Sequence, residues 1–174
     1  MKTIKYNNKG IVKAIFEKFD IDILNTYKKL TGTEIIISTD EINTKYNKEI
    51  KIGYQSVVTI DSDWVYILSA SKVKAEVITA AYPDLYTVLA SSNTSVIIKA
   101  RKIRELDKET KKRLANKIKE IKGIYGGLPY IPEIKENLGI EGVDYIIDVI
   151  KSLDIDTSNI KLDLQVDNFG VYED

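Results

Sequence analysis

The stretch YQSVVTIDSDWVYILS, Tyr54 to Ser69, holds two runs rich in β-branched and aromatic residues, Tyr54 to Ile60 and Trp64 to Ser69, separated by Asp61, Ser62 and Asp63. Side chains of that kind suit a pleated, half-buried surface, and Asp and Ser favour turns, so the stretch reads as a β-hairpin. Similar short runs lie on either side, Ile35 to Ser38 and Val96 to Ala100, with turn residues between them. A mostly antiparallel sheet over Glu34 to Ala100 is the resulting expectation. Within it, Lys72 to Ala90 admits two readings. Ser71 caps a short helix carrying Val73, Val77 and Ala81 and ended by Pro83, or Glu76 to Ala80 and Leu85 to Leu89 are strands; strands are the reading adopted.

Upstream of the sheet, Asn8 stands as an N-cap before Ile11, Val12, Ile15, Phe16, Phe19, Ile23, Tyr27 and Leu30, which recur at helical spacing until Gly32. One amphipathic helix is predicted there. Downstream, Asp107 caps a second helix to about Lys122, with Leu114, Ile118 and Ile121 as its apolar stripe and Gly123 past its end. Gly126, Gly127, Pro129 and Pro132 then mark a hinge near residues 123–132. A short helix around Pro132 to Asn137 follows, then a helix from Gly142 to Leu153. An alternating strand comes last, Ile160, Leu162, Leu164 and Val166, with a turn at Asp167 to Gly170 into Val171 and Tyr172. The fold class read from this is α+β. An N-terminal helix on a mostly antiparallel sheet fills residues 1–105, and a small helical segment ending in a β-hairpin fills 106–174. Three helices and a hairpin over Asp107 to Tyr172 are similar in order to the winged-helix arrangement, a helix-turn-helix variant with a β wing.

Composition narrows the chemistry. The 174 residues include neither Cys nor His, which removes thiolate catalysis, disulfides, cysteine-ligated metals and the commonest general base, so an enzyme is disfavoured and no cofactor or metal is expected. No stretch approaches about 18 uninterrupted apolar residues and the start lacks a signal-peptide pattern, so a cytoplasmic protein with no membrane contact is expected. Abundant Ile and a large excess of Lys over Arg suggest a thermophilic archaeon or one of its viruses, while ten Asn residues point the other way.

The net charge is zero, yet the charges are sorted. Lys99 to Lys122 holds eleven Lys or Arg against four acids, and Gly123 to Asp174 holds three Lys against eleven acids. At 3.6 residues per turn, Lys108, Lys111, Lys112, Lys119 and Lys122 fall within an arc of about 100° beside the apolar stripe. Charge runs on helices are commonly solvated faces; the functional reading is a polyanion or partner contact. The winged-helix resemblance implies that the helix from Gly142 to Leu153 enters a DNA major groove. Its outward positions include Asp144, Tyr145 and Asp148, and Asp163 faces outward on the following strand, so the surface repels phosphate and suits a basic protein face instead. The two opposite blocks could equally pair with each other.

Three further patterns admit a functional reading. Asp61-Ser62-Asp63 after a hydrophobic strand resembles the D-x-D of metal-dependent nucleotide-sugar transferases, but a turn accounts for it. Asp154 to Ser158 begins like a calcium loop, yet Asn159 stands where the glycine belongs and Gln165 where the bidentate Glu belongs. Trp64, Tyr66 and Leu68 alternate onto one sheet face, with Tyr54 as a neighbour, where aromatics can stack single-stranded bases; the acids beside them oppose that use. The expected function is a non-enzymatic adaptor acting by protein–protein contacts within a nucleic-acid-handling assembly. The alternatives are a DNA-binding regulator gripping backbone through the lysine helix and a metal-dependent transferase or hydrolase at Asp61 and Asp63.

Overall fold

The computed structural model describes residues 2–6, 9–38, 41–53 and 55–172, without the side chains of Ala14 and Phe16. The expected cap at Asn8, the side chain of Phe16 and the aromatic Tyr54 therefore lie outside the described residues. The chain forms two compact units, residues 1–102 and 103–174, built from helices and antiparallel sheets, an α+β protein.

The first unit opens with a strand that local sequence does not announce, β1 (Lys2–Tyr6). The single N-terminal helix expected from periodicity is two helices, α1 (Lys9–Lys18) and α2 (Ile21–Thr31). The break has a physical cause on both sides. Asp20 sits extended at φ −77° and ψ 162°, and its carboxylate accepts the Ile23 N–H at 2.8 Å. The Lys18 carbonyl accepts hydroxyls from Thr94 at 2.5 Å and Ser95 at 2.7 Å. An N-cap together with those two hydroxyl donors replaces the hydrogen bonds that a continuous helix would make. Gly32 stops α2 as its sequence position implied, at φ 71° with its N–H on the Lys28 carbonyl.

Strands β2 (Glu34–Ile37) and β3 (Ile42–Tyr46) join β1 in a sheet of order β1-β3-β2. Strands β4 (Glu49–Ile52), β5 (Ser56–Asp61), β6 (Trp64–Ser69), β7 (Tyr86–Ser91) and β8 (Val96–Arg101) form a second, of order β4-β5-β6-β8-β7. Every pairing is antiparallel. Val12, Ile15, Phe19, Ile23 and Tyr27 of the helical segment share one core with Ile35 and Ile42 of the first sheet and Val57, Leu68 and Ile97 of the second. Residues 72–81 correct the strand reading: they are helix α3 (Lys72–Ala81), capped by Ser71, which accepts the Lys74 N–H at 3.2 Å. Helical spacing puts Ala75 and Ile78 together over Val96, Ile98 and Tyr86, closing the sheet's other face, which a strand there would leave open. The strand expected at Leu85 to Leu89 is present as β7.

The second unit runs β9 (Arg104–Glu105), α4 (Lys108–Tyr125), a 3-10 turn at Ile131–Glu133, α5 (Glu141–Ser152) and β10 (Gly170–Val171). Its interior holds Ile118, Ile121, Ile131, Ile134, Leu138, Val143, Ile147, Ile150, Leu162 and Leu164. Helix α4 passes through Gly123 and stops at Gly126, whose φ of 71° makes it the true cap. The helix expected from Pro132 to Asn137 is only the 3-10 turn. The expected terminal hairpin does not form either. Leu162 and Leu164 are buried as the alternation implied, but residues 160–162 pair with 129–131 through Ile131 N–H to Ile160 O and Leu162 N–H to Pro129 O, both 2.9 Å. Val166–Asn168 is a 3-10 turn and β10 pairs with β9. Both partners come from distant sequence, so no local turn signal could name them.

Candidate functional site

Helix α4 is set by its ends and its stripe. Asp107 accepts the Thr110 N–H at 2.8 Å on one carboxylate oxygen and the Thr110 hydroxyl at 3.0 Å on the other. These bonds hold its carboxyl below the usual value, the backbone bond contributing most. With Ile118 and Ile121 buried, Lys108, Lys112, Lys119 and Lys122 are exposed, and Lys111 is half-buried. Lys111 pairs with Glu105 at 3.4 Å. The other four make no ion pair among the described residues. Lys117, on the far flank, pairs with Glu120 at 3.3 Å.

The acids that were to form a partner face are not equivalent. Asp144 is half-buried at the first turn of α5, and its two oxygens accept the N–H groups of Leu138 at 2.7 Å and Gly139 at 3.1 Å. Tyr145 and Asp148 are exposed on the same helix. Asp163 lies on the extended segment beside Pro129 to Ile131, near the Asn168 amide, whose Nδ2 is 3.5 Å from its carboxylate. No α4 lysine forms an ion pair with any of these acids among the described residues.

Asp61 ends β5 opposite Trp64, and Asp63 is the second residue of the two-residue turn Ser62-Asp63, with Ser62 at φ 28°. The Lys48 ammonium holds Asp61 at 2.7 Å, and among the described residues no group of three or more acids gathers to hold a metal. Beside this turn sequence reasoning missed a contact. The Lys99 ammonium lies 4.1 Å from the Trp64 ring centroid and 5.9 Å from that of Tyr66. Trp64 and Lys99 are signals in the chain, but only the β6–β8 register, which sets Tyr66 opposite Lys99, brings them together. A groove of about 460 Å³ between α2 and β2 is lined mainly by Phe19, Ile21, Leu24 and Ile36, with the paired Lys28 and Glu34. No helix among the described residues is long and apolar enough to cross a membrane. Compared with protein-family models, curated proteins and solved structures, the chain matches none.

Proposed function

We propose that this chain is a non-enzymatic adaptor that works by protein–protein contact, with α4 as the seat for an acidic partner surface. The observation that carries this reading is the set of four exposed ammonium groups on one arc, Lys108, Lys112, Lys119 and Lys122, without an intramolecular ion-pair partner among the described residues. Small residues lie among them, since Ala115 and Asn116 are exposed on the same helix, and they allow a partner to approach the backbone closely. Unpaired lysines of this kind contribute little to stability and much to encounter rate and orientation.

The second reading is a DNA-binding regulator that grips duplex backbone through α4. It is favoured by the same lysines, the first and last of which are fourteen residue steps apart, about 21 Å of helix at 1.5 Å per residue. It is opposed at α5, the helix that would read bases, because Asp148 is exposed there and the Lys151 ammonium is spent on the Ile134 carbonyl at 2.7 Å. Fluorescence anisotropy with labelled polyglutamate and with a random-sequence duplex separates the two. The adaptor reading expects polyglutamate to bind at low salt and Lys112→Glu/Lys119→Glu to abolish it. Duplex binding with a log–log salt slope of about −4, from four phosphate contacts, with no affinity for polyglutamate, would establish the DNA reading instead. Binding to neither probe would overturn both.

A further inference from the structure

The face of the five-stranded sheet that carries the main core changes character along its strands. Register places Val57, Leu68 and Ile97 side by side, all fully buried. The next row is Thr59, Tyr66, Lys99 and Thr87, and the last is Asp61, Trp64 and Arg101. Thr59 is still fully buried, whereas Trp64 is 38% exposed. The sheet thus ends in an open aromatic surface with a cation already on it, Lys99 over Trp64 and Tyr66.

Charge decides what fits. Asp61, which in sequence seemed to bar a phosphate chain from these rings, is neutralised by Lys48 at 2.7 Å. Lys102 is exposed and its N–H bonds the Asp63 carbonyl at 3.0 Å, so a further lysine stands at the turn. Lys48, Lys99 and Lys102 outnumber Asp61 and Asp63 at this end of the sheet. Aromatic rings with interleaved cations are the elements by which open sheets take single strands: every base has a face to stack, and every phosphate takes an ammonium.

We infer that Trp64, Tyr66, Lys99 and Lys102 form a binding platform for a single-stranded polynucleotide, with a base stacked on Trp64 and the flanking phosphates on Lys99 and Lys102. The four-carbon stem of Lys99 lets its ammonium leave the indole for a phosphate and expose the ring face. Base stacking outweighs an exposed cation–π contact, so the exchange is favourable. The site lies in the first unit and is independent of the α4 reading.

Trp64 is the chain's single tryptophan, so its emission reports this place alone. The experiment titrates the full chain with oligo(dT), oligo(U), a duplex of equal length and polyglutamate. Saturable quenching by the single strands is expected, weaker with the duplex, absent with polyglutamate and relieved by salt. A preference between oligo(dT) and oligo(U) means that the sugar or the thymine methyl is read, and oligo(dU) separates the two. Lys99→Glu should weaken the affinity about tenfold or more, as should Trp64→Ala measured with a labelled strand, while Lys112→Glu/Lys119→Glu on α4 leaves it unchanged. Absence of quenching by either oligonucleotide while acrylamide still quenches overturns the inference. So does equal quenching by polyglutamate, or an unchanged affinity in Lys99→Glu.

Discussion

Replacing Asp144 by Ala tests whether that residue belongs to a partner surface or to the fold. Its two oxygens take the N–H groups of Leu138 and Gly139 at 2.7 and 3.1 Å, closing the loop that leads into α5. Hydrogen bonds to a charged group contribute roughly 1.5–3 kcal/mol each when sheltered. Leu138 is buried but Gly139 is exposed, so water replaces the second bond at little cost. The expected loss for Asp144→Ala is therefore about 1–3 kcal/mol, a fall in Tm of a few degrees to about ten. Asp144→Asn, keeping one acceptor, should lose about half of that. Asp148→Ala, at an exposed position on the same helix, should stay within about 0.5 kcal/mol of the parent. Thermal unfolding by circular dichroism gives the totals, and native-state hydrogen exchange at the Leu138 and Gly139 amides gives the local effect. Equal Tm values for Asp144→Ala and Asp148→Ala, with unchanged exchange at both amides, would refute the reasoning. The comparison also separates a folding defect from a lost contact in any partner assay that uses these acids.

Three other perturbations bear on the same fold. The Tyr27 hydroxyl is buried and bonds the Thr59 hydroxyl at 2.5 Å and the Tyr66 carbonyl at 3.1 Å, so Tyr27→Phe should cost about 1–2 kcal/mol in a urea titration. Burial also raises the Tyr27 phenol above its ordinary value of 10.0, so its contribution is whole below that pH and falls away in stronger alkali. Hydrogen bonds to the Thr110 backbone and hydroxyl hold Asp107 below its ordinary 3.8, so its contribution is full above that value and is lost as pH falls through the lower folded one. Asp107→Asn keeps the cap and should flatten that part of the acid limb of a Tm-against-pH curve; an unchanged limb counts against the assignment. Gly139 has φ +86°, and a Cβ there would meet Lys117 Cε at 2.8 Å. The Lys117 side chain is flexible at that end and can swing aside, so Gly139→Ala should destabilise by about 1–2 kcal/mol through backbone strain, and adding Lys117→Ala should recover little of it.

Caps, periods and two-residue turns were legible because their physics is local. Asp107 and Gly32 behave as their sequence positions imply, and the hairpin over Ser56 to Ser69 forms around Ser62 and Asp63. The lysine arc on α4 follows from helical period and one buried stripe alone. The break at Asp20 was not read from periodicity, and half of what fixes it comes from Thr94 and Ser95, more than seventy residues from the Lys18 carbonyl that they bond. Ser71 offered a helix and Glu76 to Ala80 a strand; the sheet face at Val96 and Ile98, which needed covering, settled it. The alternation at Ile160 to Val166 foretold which leucines are buried but not that Tyr130 and β9 would take the places of a hairpin partner. The contacts between Lys99 and Trp64, Lys48 and Asp61, and Asp144 and the Leu138 loop have the same character. By itself the sequence determined the α+β class, the helix ends whose caps lie within four residues, and the charged arc of α4. The tertiary structure alone decided which strands pair, where helices break and which charges meet, because those depend on closing long loops against burial elsewhere, and no local pattern encodes which distant segment closes them.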